Sequence, residues 1–394
     1  MRLAYFSPLP PTPSGIADYS LELLPHLARK AEITLFVDRP ESVIGELDER
    51  FSVKSMEQYP VLRAQFDLAL YHMGNNVHHE AIYACALRYP GVVVLHDLFL
   101  HHFIGSITFV KDDHASYVRE LSYAMGSEGL NMFSDFRLGK RRAPVFELPL
   151  CNRLVDRSLG LVVHSKAAAA SVQTMRPDRA ARVIPALIAQ REGISLREKL
   201  DVGEETIVFV SLGFVNLTKQ IEFALRSFGR LRESVPDIHY IIVGGIQGEI
   251  DLESLISELG LEGSVTCTGY VADLQTFIDW TVTADIVINL RNPTLGETSA
   301  AALRAMAAGK PLIVFDHGWY AELPDEICIK VPPMDSEALG SAMRELVENA
   351  EMRRQMGEKA NQTTRQIHDP EIVAVAYIDF LENCLADISR RATR

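Results

Sequence analysis

The stretch RNPTLGETSAAALRAMAAGKPLIVFDHGWYAELP, Arg291 to Pro324, reads as loop, helix, turn, strand and loop. Thr298 or Ser299 is placed to cap the helix by accepting hydrogen bonds from the N–H groups of its first turn. The helix body is rich in alanine (Ala300, Ala301, Ala302, Ala305, Ala307, Ala308), which lets its backbone approach a sheet closely. Gly309 stands where a left-handed C-terminal residue is wanted, and Pro311 follows as a stop. Leu312–Phe315, LIVF, is a short, continuous apolar run of the kind buried on both faces of a parallel sheet. A second such run, DIVINL (Asp285–Leu290), precedes the loop. A helix entered through a polar turn after a buried strand presents its positive end to an anion.

Working outward, the same alternation recurs on both sides. Upstream of the middle lie LAYF (Leu3–Phe6), a helix from about Ile16 to Lys30, ITLFV (Ile33–Val37), LALYH (Leu68–His72), a helix near Val77–Arg88, VVVLH (Val92–His96) and GLVVHS (Gly160–Ser165). Phe103 to Leu150 breaks the pattern and reads as a helical insertion. After a polar linker around Pro185–Glu204 come IVFVSLG (Ile207–Gly213), YIIVGG (Tyr240–Gly245) and VTCTGY (Val265–Tyr270), with amphipathic helices at Gln220–Glu233 and Leu252–Leu259. Strands alternating with helices predict parallel, doubly wound sheets, one in each half. Pro370 to about Arg390 reads as one long amphipathic helix carrying Ile372, Val375, Ile378, Phe380, Leu381, Leu385 and Ile388.

Composition narrows the class. The 394 residues suggest two to three domains, and 47% hydrophobic with 23% charged residues suits a globular chain. No apolar run reaches membrane-spanning length, and the start is strand-like, unlike a signal peptide. Five scattered cysteines without a CxxC pair suit buried thiols in a reducing cytoplasm. Residues 1–190 hold 20 basic and 20 acidic side chains; the remainder hold 19 and 32, so the whole net charge of −13 falls in the second half. A phosphate backbone demands a basic face, which excludes a nucleic-acid partner. Lys140-Arg141-Arg142, the one tight basic cluster, reads as a solvated loop.

Several residues are placed for chemistry. Pro13-Ser14-Gly15-Ile16-Ala17-Asp18-Tyr19 follows the first strand, and Gly15 lets backbone N–H groups approach a ligand there. His96-Asp97 ends a buried strand, where ligands of such sheets bind, and Gly74-Asn75 ends the preceding one. His101 and His102 read as structural. His78-His79-Glu80 is rejected as a metal site, since adjacent side chains diverge and no second cluster has ligand spacing.

RAMAAGKPLIV (Arg304–Val314), with Glu297 before it and Gly318-Trp319-Tyr320-Ala321-Glu322 after it, resembles the signature of the group 1 (family 4) retaining glycosyltransferases. That signature is a Glu-rich turn, an EAMA-like helix, GxPVI and a Gly-x-x-E loop. The family's two glutamates fall at Gly296 and Arg304, so Glu297 is taken as the first, displaced by one residue, and the second is absent. SLGFVNLTKQIEFALRSF (Ser211–Phe228) is similar to the family's GRxxxEKG turn: Lys219 matches the lysine, while Phe214 replaces the arginine.

The resemblance implies the GT-B fold: α/β, two Rossmann-like domains facing a deep cleft. Residues 1–190 would take the acceptor, 195–368 the nucleotide-sugar donor, and a helix over about 370–394 would cross back to the first domain. It further implies transfer of a sugar, with retention, from a nucleotide-diphosphate donor to a hydroxyl acceptor such as a glycan or lipid-linked glycan, and it calls for no cofactor and no metal. His96 would sit beside the transferred sugar. Lys219, with Arg291 as substitute cation, would neutralise the diphosphate, helped by Gly213, Thr298 and Ser299. Glu297 would accept from sugar hydroxyls and Glu322 from the ribose, while Gly15, Asp18, Asn75 and Asp97 would line the acceptor side. The expected location is cytoplasmic, or peripheral at the inner membrane face through the first half. A non-catalytic sugar- or nucleotide-binding subunit and a nucleotide-sugar epimerase are the alternatives on the same fold.

Overall fold

The computed structural model describes residues 1–43, 46–200 and 202–392. The chain divides into two compact units. One comprises Met1–Leu187, Leu295–Thr298 and Pro370–Arg394; the other comprises Ile188–Thr294 and Ser299–Asp369.

The first unit is built on strands β1 (Arg2–Phe6), β2 (Glu32–Val37), β3 (Ser52–Ser55), β4 (Leu68–Met73), β5 (Val92–Leu95), β6 (Gly160–Val163) and β7 (Arg182–Val183). They pair in the order β3-β2-β1-β4-β5-β6-β7, all parallel. β4 and β5 are buried along their whole length, which is why their sequences show unbroken apolar runs and not alternation. The insertion is helical, with His101–Ile107, His114–Met125 and Ser127–Arg137 covering one face of the sheet through buried Phe103, Ile104, Tyr117 and Leu121.

The helix Pro370–Ala392 packs on the helix Gly15–Leu27. Its buried stripe is Val373, Ala374, Tyr377, Ile378, Leu381 and Cys384, whereas Ile372 and Val375 are exposed. Polar pairs fix this rotation: the Tyr377 and Tyr19 hydroxyls lie 2.9 Å apart, and Glu371 meets His26 at 3.0 Å and also Arg29.

The second unit is built on β8 (Ile207–Leu212), β9 (Ile238–Val243), β10 (Val265–Gly269), β11 (Ile286–Ile288), β12 (Leu312–Phe315) and β13 (Cys328–Val331). Their order is β10-β9-β8-β11-β12-β13, again parallel throughout. The alanine-rich helix is Ala300–Ala307, capped by Ser299, whose hydroxyl accepts from Ala302 N. Gly309 has φ +68°. It lies against the helix Ala350–Ile367, where a Cβ on Gly357 would overlap the Gly309 carbonyl.

In each sheet the strand order reverses at the first strand, which sits between the second and the fourth. Loops leaving the carboxyl ends of β1 and β4 diverge, as do those leaving β8 and β11. Crevices at such switch points are where open α/β sheets bind ligands.

The five cysteines stand unbonded, and Cys267, on the edge strand β10, is exposed where burial was expected. No described helix is long and apolar enough to cross a membrane.

Candidate active site

The second unit brings Gly213, Lys219 and Arg291 to adjacent strand ends. Gly213, at φ +89°, follows β8, and the chain turns through Leu217–Lys219 so that Lys219 Nζ folds back to donate to the Leu212 carbonyl at 3.0 Å. A Cβ at Gly213 would stand 3.4 Å from that ammonium, so glycine keeps the strand end open beneath it. Arg291 follows β11 and donates to the Thr218 hydroxyl at 2.9 Å. The Thr218 carbonyl in turn accepts from Asn292 N at 2.8 Å, and the Gln220 amide donates to the Asn292 carbonyl at 2.6 Å. His317, from the loop after β12, donates through Nε2 to the Arg291 carbonyl. These bonds place two cations at the switch point.

Phe214, where a family arginine was expected, stacks on Tyr270 with ring centroids 5.5 Å apart and planes 10° from parallel. Both rings remain partly exposed, at 37% and 54%. An aromatic face thus replaces a charge at the end of β8.

Ser299 is tied up in structure: besides capping its helix, it donates to Asn289 Oδ1 at 3.1 Å, an atom that also accepts from the Tyr320 hydroxyl at 2.5 Å. The Thr298 hydroxyl is buried and finds no partner among the described residues. Glu322 lies on the exposed end of the turn Gly318–Glu322.

Glu297 accepts from the Leu295 N–H at 2.6 Å within its own loop. Position 296, where the family's first glutamate was expected, has no room for a side chain. Residue 296 has φ +76°, and a Cβ there would stand 2.6 Å from Leu98 Cβ, so only glycine fits. Leu295 offers its carbonyl to both Leu98 N and Phe99 N at 3.0 Å, holding that approach.

In the first unit, Asn75, His96 and Asp97 gather at the ends of β4 and β5. Asp97 Oδ2 accepts from Asn75 N at 2.8 Å, and Asn75 Oδ1 accepts from Phe103 N at 2.9 Å. Gly74 is confined between them: a Cβ would overlap Ile16 and lie 3.2 Å from Asp97 Oδ2. Gly15 is different, since a Cβ there would meet nothing within 4 Å. Asp18 lies in the first turn of the helix that Gly15 opens, half-buried.

His96, expected beside the transferred sugar, has both ring nitrogens engaged, Nε2 with His72 Nδ1 at 2.9 Å and Nδ1 with His164 Nε2 at 3.1 Å. Burial, then the neighbouring imidazoles, hold His96 and His72 well below the ordinary histidine value, so both are neutral. His79 is buried and pushed down to about 4 by desolvation, and Glu80 pairs with Lys111 at 2.7 Å, so these two do not converge on a common point. Among the described residues no three His, Cys, Asp or Glu side chains are grouped to hold a metal ion.

Residues 194–363 match the model of the family described as glycosyl transferases group 1. Over that stretch the chain is similar to group 1 glycosyl transferases. Lys219, Arg291 and Glu322 lie inside the matched region; His96 and Asn75 lie outside it. The alpha-D-kanosaminyltransferase of Streptomyces kanamyceticus is 27% identical over 169 residues, 42% of each chain. The mannosylfructose-phosphate synthase of Agrobacterium fabrum is 31% identical over 173 residues, 41% of this chain and 36% of that one. The chain therefore spans less than half the length of these curated relatives. Over the whole fold it is similar to Anabaena HepE, solved in complex with UDP-glucose, with TM-score 0.70 and 16% identity, covering 97% of this chain and 100% of that one. That likeness is one of fold, and the fold is GT-B: two Rossmann-like halves, each with a parallel sheet.

Proposed function

We propose that the protein is a retaining glycosyltransferase that moves a sugar from a nucleotide-diphosphate donor to a hydroxyl acceptor without a metal ion. The observation that carries this is the Arg291–Thr218 hydrogen bond, which ties the residue after β11 to the turn that holds Lys219 at the end of β8, within the region that matches the group 1 model.

Cleavage of the donor leaves negative charge on the departing diphosphate. Cations already held in place stabilise that charge more in the transition state than in the ground state. Lys219 supplies a point charge, and Arg291 a planar fork suited to two phosphate oxygens. Glu297, Thr298 and Glu322 are assigned to sugar and ribose hydroxyls. Ser299 contributes the helix cap. Phe214 and Tyr270 add an aromatic face where the family's arginine would stand.

Retention follows from front-face substitution. The bond from the anomeric carbon to the diphosphate oxygen breaks as the acceptor oxygen bonds on the same face. The acceptor proton passes to a diphosphate oxygen and leaves with the nucleoside diphosphate. Gly15, Asp18, Asn75 and Asp97 are assigned to the acceptor, a glycan or lipid-linked glycan, at the cytoplasmic side of the cell.

The test is incubation of the full chain with nucleotide sugars, with and without sugar acceptors, followed by NMR of the anomeric protons. Nucleoside diphosphate released with a retained anomeric configuration supports the proposal. Conversion to an isomeric nucleotide sugar without acceptor would replace it with an epimerase, and binding without any turnover with a partner subunit.

A further inference from the structure

Three imidazoles are threaded on one run of hydrogen bonds, and one end of that run is anchored to a group of fixed polarity. A carbonyl only accepts, so His164 Nδ1, 2.8 Å from the Ile184 carbonyl, carries hydrogen. With His164 in its neutral form, Nε2 is bare and accepts from His96 Nδ1 at 3.1 Å. His96 Nε2 is bare in turn and accepts from His72 Nδ1 at 2.9 Å. The run ends at His72 Nε2, which is buried and has no hydrogen-bond partner among the described residues.

The groups facing this run do not reverse its order. Tyr5, from β1, lies tilted against the His72 ring with centroids 4.7 Å apart but gives its hydroxyl proton to Ser20. Tyr19, from the helix Gly15–Leu27, meets His96 edge-on at 4.8 Å, and its hydroxyl is paired with that of Tyr377. His79, from the turn after β4, donates through Nδ1 to Asn76 Oδ1 at 3.0 Å. All four are uncharged near neutral pH, so none of them favours an imidazolium in the run.

We propose that His72 and His164 are positioning residues that fix His96 as a neutral, Nδ1-protonated ring with both nitrogens engaged. His96 then serves the end of β5 as a rigid wall and exchanges no proton with substrate. Its place in the reaction rests on the glycosyl-transfer proposal above; the locked tautomers do not.

Histidine-selective ¹⁵N labelling of the full chain reads the tautomers directly. In water, neutral histidine favours the Nε2–H form, so a run of three Nδ1–H rings is a distinctive signature. The expected spectrum shows His72, His96 and His164 all with hydrogen on Nδ1, and neither His72 nor His96 titrating from about pH 8 down to about pH 6. In His164→Ala the anchor is gone, and His96 and His72 are both expected to move to the Nε2–H form. Wild-type His96 found as Nε2–H, or charged in that range, overturns the proposal even if the variant fails to fold. With UDP-glucose as probe, the variant's kcat for donor hydrolysis is expected to fall about tenfold with KM little changed, as for lost orientation. Swapped tautomers with unchanged kcat would overturn the positioning role. Absence of any turnover by the wild type, with the tautomers as expected, would count against glycosyl transfer alone.

Discussion

The Arg291 guanidinium donates to the Thr218 hydroxyl at 2.9 Å, tying the loop after β11 to the turn that carries Lys219. If Arg291 has taken the task of the missing arginine, Arg291→Ala lowers kcat and kcat/KM together, by about 10²-fold or more. Arg291→Lys restores only part, because an ammonium cannot reproduce the fork. Arg304→Ala, on the helix Ala300–Ala307, is the control and is expected to be milder. Steady-state kinetics in which Arg304→Ala is the more damaging would exchange the two roles.

Turnover is expected to survive saturating chelator, since the diphosphate charge is assigned to Lys219 and Arg291. Loss of activity in EDTA, restored by a divalent ion, would contradict this.

Much of the fold was legible because central strands of a parallel sheet are buried on both faces and read as apolar runs. The strands that escaped notice are at sheet edges: β3 (SVKS), β7 (RV) and β13 (CIKV). Half-covered and short, they carry Lys54, Arg182 and Lys330, so no apolar run marks them. The rotation of the C-terminal helix was misjudged for a related reason. Ile372 and Val375 lie outside the buried stripe, whose orientation is set by Tyr19–Tyr377 and His26–Glu371, pairs remote in sequence.

In the second unit Arg291 was visible as a strand-end residue and Lys219 through its family turn; in the first, Asp97 was visible as a strand-end residue. Thr218, His317 and Asn289 were not, because their hydrogen bonds join loops that only the fold brings together. One signal was available and unused. The runs LALYH, VVVLH and GLVVH each end in histidine, and three neighbouring parallel strands with the same ending place those rings side by side.

Buried neutral histidines make stability depend on pH. His79 and His101 are held at about 4, chiefly by desolvation, whereas an unfolded chain protonates them near the ordinary value. The unfolded state therefore binds more protons below about pH 6.5, and each group costs about 1.4 kcal/mol per pH unit from there down towards 4. The thermal midpoint is expected to fall from about pH 7.5 to about pH 5, with proton uptake on unfolding. A midpoint that rises over that interval would contradict the burial of neutral rings.

Gly357→Ala tests the packing of the alanine-rich helix without touching the site. The new Cβ overlaps the Gly309 carbonyl, a backbone atom that cannot step aside, and the expected loss is about 2–4 kcal/mol by chemical denaturation. Unchanged stability would mean that these two helices do not approach as described.

The central claim is that Lys219 and Arg291 hold a nucleoside diphosphate at the ends of β8 and β11. Calorimetric titration of the full chain with UDP, and with GDP, ADP and TDP in parallel, tests it most directly. At least one is expected to bind, and Lys219→Ala and Arg291→Ala are each expected to weaken it by about tenfold or more while the protein stays folded. Binding that is indifferent to both substitutions, or no heat from any of the four with a folded chain, would contradict the claim.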